Sequence, residues 1–185
     1  MSAAPAPGRT LPGFGAPAVG FDEPMAMLEA CHERVERTLA LLQRLRTHVA
    51  THGADTDARQ AARDVLRYFD IAAPLHHEDE ERHVFPLLLR SGPPAVAVLV
   101  QRLQADHQAM AADWAAARLP LAALAEGALQ AFSPAHEATF DRFAQRYGAH
   151  IAAEEGTAYP AALAQLDAQS LAAMGREMAA RRGQG

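Results

Sequence analysis

Apolar residues recur along this chain at three- and four-residue intervals over long stretches, the spacing of one face of an α-helix. Met27, Leu28, Val35, Leu39 and Leu42 trace the first stripe. They predict helix 1 from Asp22, as N-cap with Pro24 in the first turn, to about His48. Thr51 to Thr56 reads as a turn. Helix 2 is expected from about Asp57 to Leu89, kinked just before His76 because Pro74 lacks an amide donor. Ser91-Gly92-Pro93-Pro94 is a stop, and helix 3 follows from about Pro94 to Arg118. Leu119 to Pro134, with Pro120 and Gly127, reads as a looser connection. Ser133 suits the N-cap of helix 4, which should reach about Leu166, and a short helix from about Ala168 to Ala180 closes the chain. Four long helices with mostly short connections predict an all-α, up-down-up-down four-helix bundle.

This pattern divides the chain into an extended Pro/Gly/Ala-rich arm at 1–21, the bundle at 22–166, and a short helix and tail at 167–185. Leu11, Phe14 and Phe21 are available to dock the arm on the body. Half of the 185 residues are apolar, many of them alanine and few aromatic, which favours close-packed helices in one domain. The net charge of −5 argues against a nucleic-acid partner, which would need a basic face. Cys31, the single cysteine, excludes an intramolecular disulfide and fits a reducing compartment. No apolar run reaches the roughly 18 residues of a membrane span, and the first residues lack the continuous apolar segment of a secretion signal. A cytoplasmic location without a membrane partner is therefore expected.

Candidate chemistry comes from a pattern that occurs twice. His76 is followed by Glu80-Glu81 at offsets four and five and by Phe85-Pro86 at nine and ten. His150 is followed at the same offsets by Glu154-Glu155 and Tyr159-Pro160. A four-residue step places the imidazole and the carboxylate on one helix face, which is half of a transition-metal site.

A bundle then predicts which residues meet. His32 lies about ten residues into helix 1, or ~15 Å along it at 1.5 Å per residue. His76 and Glu80 near the end of helix 2, His107 part-way along helix 3, and His150 with Glu154 or Glu155 near the end of helix 4 fall at the same level. The candidate metal ligands are thus His32, His76, Glu80, His107, His150, Glu154 and Glu155. Glu154, about 40° round the helix from His150, is better aimed than Glu155 at about 140°, though a local bulge would reverse the choice. His77 and His83 are assigned to solvent or to a supporting layer, and His48, His52 and His136 to the surface. The layers on either side are apolar: Leu39, Tyr68, Phe69, Trp114 and Phe143 toward one end, Met25, Leu28, Leu87, Val100 and Leu163 toward the other. Four imidazoles with two carboxylates suit a pair of ions such as iron, manganese or zinc. Ferritin-like carboxylate proteins need a lone Glu on helix 3, which is missing, and a His-Glu-x-x-His zinc-protease motif is absent.

These elements, His32, His76-x-x-x-Glu80, His107 and His150-x-x-x-Glu154 in order, resemble the bacterial branch of the hemerythrin-like (HHE cation-binding) family over about Asp22 to Leu166. The resemblance implies two iron ions joined by an oxo or hydroxo bridge and two carboxylates, with zinc or manganese as alternatives. It also implies a small diatomic ligand or peroxide as partner. One position departs from the oxygen carriers of the family: Ala111 stands where they have a second histidine on helix 3. Water, Tyr147 or His77 is left to fill that place, and reversible oxygen storage is disfavoured. The function expected is binding or sensing of dioxygen, peroxide or nitric oxide in iron and oxygen homeostasis or stress response. A di-iron oxidoreductase consuming peroxide or nitric oxide, and a structural bundle whose site is vestigial or holds zinc, are the alternatives. The oligomeric state stays open, a homodimer being one option.

Overall fold

The computed structural model describes residues 19–183, and every regular element among them is helical. α1 spans Pro24–His52. α2 is one continuous helix over residues 56–91, in which the α-helical segments Thr56–Arg67, Ala73–Asp79 and Phe85–Ser91 are joined by π turns at Tyr68–Ala72 and Glu80–Val84. α3 spans Pro94–Ala125. α4 covers residues 134–163 as Pro134–Ala153, a π turn at Glu154–Ala158, and Tyr159–Leu163. α5 is Ala168–Arg181. Most of the expected arm, including Leu11 and Phe14, lies outside the described residues.

Three prolines explain the three π turns. Proline has no amide to donate, and its ring presses on the carbonyl four residues back. In each case the amide just before the proline bonds five residues back: Ala73 to Tyr68, Phe85 to Glu80 and Tyr159 to Glu154. The wider turn relieves the clash, so Pro74, Pro86 and Pro160 sit inside continuous helices. The π turn ahead of Pro74 stands where the kink before His76 was expected.

Other boundaries shift for local reasons. Glu23, not Asp22, caps α1, and its side chain makes no capping bond; the residue before a proline is driven out of the helical region, so the helix starts at Pro24. α1 runs one turn further than expected because Val49 is buried in the core, and Gly53 with φ of 82° ends it. Asp55 caps α2 by accepting from the Ala58 amide, so Thr56 is already helical. α3 passes through Pro120 to Ala125, overriding the expected loose connection, because Leu121 and Leu124 are fully buried. Ser133 caps α4 in a reciprocal box with His136. α4 stops at Leu163, which is 50% exposed rather than in an apolar layer.

α1 packs on α2, α2 on α3, and α3 on α4. One apolar core joins Val49, Ala58, Phe69, Leu121, Leu124, Phe140 and Phe143; Leu39, Tyr68 and Trp114 pack against it. A second joins Met25, Leu28, Phe85, Leu88, Val100 and Ala162, with Leu87 against it. α5 closes the second core with Met174 and Met178. Its Gly175 lies under the 19–22 segment, where a Cβ would stand 1.8 Å from the Phe21 carbonyl oxygen. Asp79, fully buried, clasps α5: Arg181 donates to one oxygen and Arg182 to the other at 2.6 Å. Between the two cores lies a layer of buried polar side chains.

Candidate metal centre

That layer is built from four helices. His32 of α1, His76 and Glu80 of α2, His107 of α3, and His150 and Glu154 of α4 are all buried. Ligand atoms of His32, His76, Glu80 and Glu154 lie within 4.8 Å of one another, and so do those of His77, His107 and His150. The layer thus holds two histidine groups, and both carboxylates reach each of them. Glu154 places Oε2 3.1 Å from His32 Nε2 and Oε1 3.0 Å from His150 Nε2. Glu80 places Oε1 3.6 Å from His76 Nε2 and Oε2 3.4 Å from His107 Nε2.

These contacts are close but poorly satisfied. Neither oxygen of Glu154, nor Glu80 Oε2, has a well-directed hydrogen-bond donor despite complete burial, and the Nδ1 atoms of His76 and His150 are also unpartnered. Asp106 Oδ2 stands 3.5 Å from His150 Nδ1, without the alignment of a bond. Unpaired buried acceptors are costly, so oxygens and nitrogens that converge with so few aligned donors among them call for a cation. His107 Nε2 and His150 Nε2 are 3.2 Å apart. Two nitrogens at right angles on one ion, each about 2.1 Å from it, would be about 3 Å apart. The donors present therefore fit a transition-metal pair.

The second glutamate of each motif lies outside this set. Glu155, 45% exposed at its side chain, bonds His32 Nδ1 at 2.9 Å, and Glu81 bonds His107 Nδ1 at 3.0 Å. Each holds the imidazole of a neighbouring helix with Nε2 turned inward. The Glu-Glu pair repeated at 80–81 and 154–155 was the signal available for Glu81. The aromatic residues of the motif are paired in the same way. Phe85 lies against His107 with ring centroids 5.4 Å apart, and Tyr159 against His32 at 5.4 Å. Tyr159 differs by a hydroxyl, which donates to Glu80 Oε1 and lies 3.2 Å from His32 Nε2.

Electrostatics without an ion reflect the crowding. Burial and the negative charge of Glu154 push Glu80 up to about 7. Burial would raise Glu154 too, but the imidazoles of His107, His150 and His32 hold it well below the usual carboxylate range. Burial pulls His107 down, and Glu154 with Glu80 outweighs it, lifting His107 to about 10. His76 falls to about 3 through burial and the neighbouring His32.

The remaining candidates separate clearly. Tyr147, offered as a stand-in for the ligand missing at Ala111, packs on Phe143 and Phe69 in the first core. Ala111 itself is exposed. His77, expected in solvent or a supporting place and also offered for the missing ligand, is partly buried with a ligand atom within 4.8 Å of those of His107 and His150. His83 bonds Glu177 of α5 at 2.5 Å, and His48 pairs with Asp55 at 2.9 Å. Cys31 is a small buried residue. No helix among the described residues is long and apolar enough to cross a membrane.

Comparison with known proteins agrees with this geometry. The family model described as the hemerythrin HHE cation binding domain matches residues 23–162. An uncharacterized protein of Haemophilus influenzae (strain ATCC 51907 / DSM 11121 / KW20 / Rd) is 33% identical over 162 residues, which span 88% of this chain and 91% of that protein.

Proposed function

The chain belongs to the hemerythrin HHE cation-binding domain family, and on that premise we propose that it holds two iron ions and binds or senses dioxygen, peroxide or nitric oxide. One observation carries this reading: two fully buried carboxylates stand between two histidine groups, and three of their four oxygens have no aligned donor. His32 and His76 would serve one position, His107 and His150 the other, and Glu80 and Glu154 both. The helices around them are read as an up-down-up-down bundle, and the location as cytoplasmic. Zinc or manganese would accept the same nitrogen and oxygen donors, so metal analysis decides among them.

Iron, when bound, supplies reversible redox chemistry and a place for a small ligand. The chain supplies the rest. Glu81 and Glu155 accept from Nδ1 of His107 and His32 and so turn Nε2 of each toward the layer, where a bound ion would take the place of a proton. The Tyr159 hydroxyl donates to Glu80 Oε1 and keeps a proton beside that carboxylate. Leu28, Val35, Phe69 and Phe85, all buried, keep bulk water from the layer on both sides.

The test is to load metal-free protein with ferrous iron without air and then add peroxide, dioxygen or nitric oxide. A binding or sensing protein gives a visible absorption change that saturates near one ligand per site, without continued consumption. Sustained consumption would establish the oxidoreductase reading instead, and no spectral response to any of the three would overturn the proposal.

A further inference from the structure

The two motifs that build the centre differ at the residue after the first histidine. His77 follows His76, whereas Ile151 follows His150. Ile151 is buried in the first apolar core, as a residue pointing away from the polar layer should be. His77 instead lies against the His107 ring, with centroids 4.0 Å apart and planes 12° from parallel, and is 6.2 Å from the His150 ring. His107 is thus flanked by His77 and by Phe85. A ligand nitrogen of His77 lies within 4.8 Å of those of His107 and His150; ligands about 2.1 Å from one ion stand at most about 4.2 Å apart, so His77 has to turn out of its stack on His107 to join them on an ion. No hydrogen bond or ion pair engages the His77 ring among the described residues, and Ala111 offers no donor on α3.

We propose that His77 is the third imidazole ligand of the metal position served by His107 and His150, supplied by α2 in place of the histidine absent at position 111. The inference rests on the two-iron reading above. It makes the two positions unequal: one has three imidazoles, while the other has two and faces the Tyr159 hydroxyl.

The obvious alternative is that His77 only packs against His107. Two variants separate these roles. His77→Phe keeps a flat ring on His107 but has no donor, and His77→Ile copies the residue that the second motif carries. Metal-free wild type and variants would be titrated anaerobically with cobalt(II), followed by its visible bands and by metal per chain after gel filtration. Their fold would be checked by circular dichroism and melting point without metal.

A ligand role predicts wild type taking two equivalents, with both variants folded, one equivalent unchanged and the other weakened about tenfold or more. Restoration of the second equivalent by free imidazole in His77→Ile, but not in His83→Ala treated alike, would support the same assignment. If wild type binds two equivalents and His77→Phe binds both as tightly, His77 is packing alone, and the two-metal reading stands without it. If wild type itself binds no cobalt or iron, both fall together.

Discussion

Replacing Glu154 by glutamine keeps the shape of the side chain and removes the charge that both histidine groups share. Its oxygens lie 3.1 Å from His32 Nε2, 3.0 Å from His150 Nε2 and 3.8 Å from His107 Nε2, and the side chain is fully buried. Two unit charges 4 Å apart interact by about 4 kcal/mol at an effective dielectric of 20. An amide oxygen remains as a neutral donor, so a net loss of about 2–4 kcal/mol is expected for metal binding, or roughly thirty- to several-hundred-fold in affinity. Glu155→Gln is the matched control. That carboxylate is 45% exposed and makes one hydrogen bond, to His32 Nδ1, so about 1 kcal/mol, or about fivefold, is expected. Competition against a chelator of known affinity, with ferrous iron under anaerobic conditions, measures both. Equal weakening by the two substitutions, or greater weakening by Glu155→Gln, would refute the assignment of Glu154 to the ions and Glu155 to their support.

Further tests follow from the same geometry. His76→Ala and His150→Ala should each lower metal content sharply and reduce thermal stability of the loaded protein; a fully loaded, equally stable double variant would contradict the site. Asp79→Ala leaves Arg181 and Arg182 without their buried partner and should cost about 3 kcal/mol, or roughly 6–12 °C in melting point; a shift under 2 °C would mean the clasp contributes little. His107, raised to about 10, stabilises the metal-free fold fully below its unfolded value near 6.5 and loses that contribution as pH rises through 10, whereas His76, lowered to about 3, contributes above 6.5 and loses it as pH falls toward 3. Because a metal must displace the His107 proton, the melting-point gap between loaded and metal-free protein should widen from pH 6 to pH 9, and a flat gap in calorimetry would contradict this.

The sequence was most legible where one helix sufficed. His76 with Glu80 and His150 with Glu154 follow from a four-residue step, and the shared level of His32 and His107 follows from rise per residue and connection length. What escaped needed knowledge of neighbours. Pro120 reads as a break until the burial of Leu121 and Leu124 is known. The π turns, set by Pro86 and Pro160, change the phase of the residues after Glu80 and Glu154, and Glu81 and Glu155 reach imidazoles on other helices from within those turns. His77 stayed open between solvent, a supporting layer and the place missing at Ala111, because its partner His107 lies on α3. The clasp of Asp79 by Arg181 and Arg182 joins residues about a hundred positions apart, and no local pattern signals it.

The most direct test of the two-ion centre is elemental analysis of protein expressed in iron-replete medium, combined with X-ray absorption at the iron edge. The proposed centre predicts close to two irons per chain, imidazole scattering, and a metal–metal vector on the order of 3.5 Å. One ion or none per chain, or iron without a second metal nearby, would contradict it.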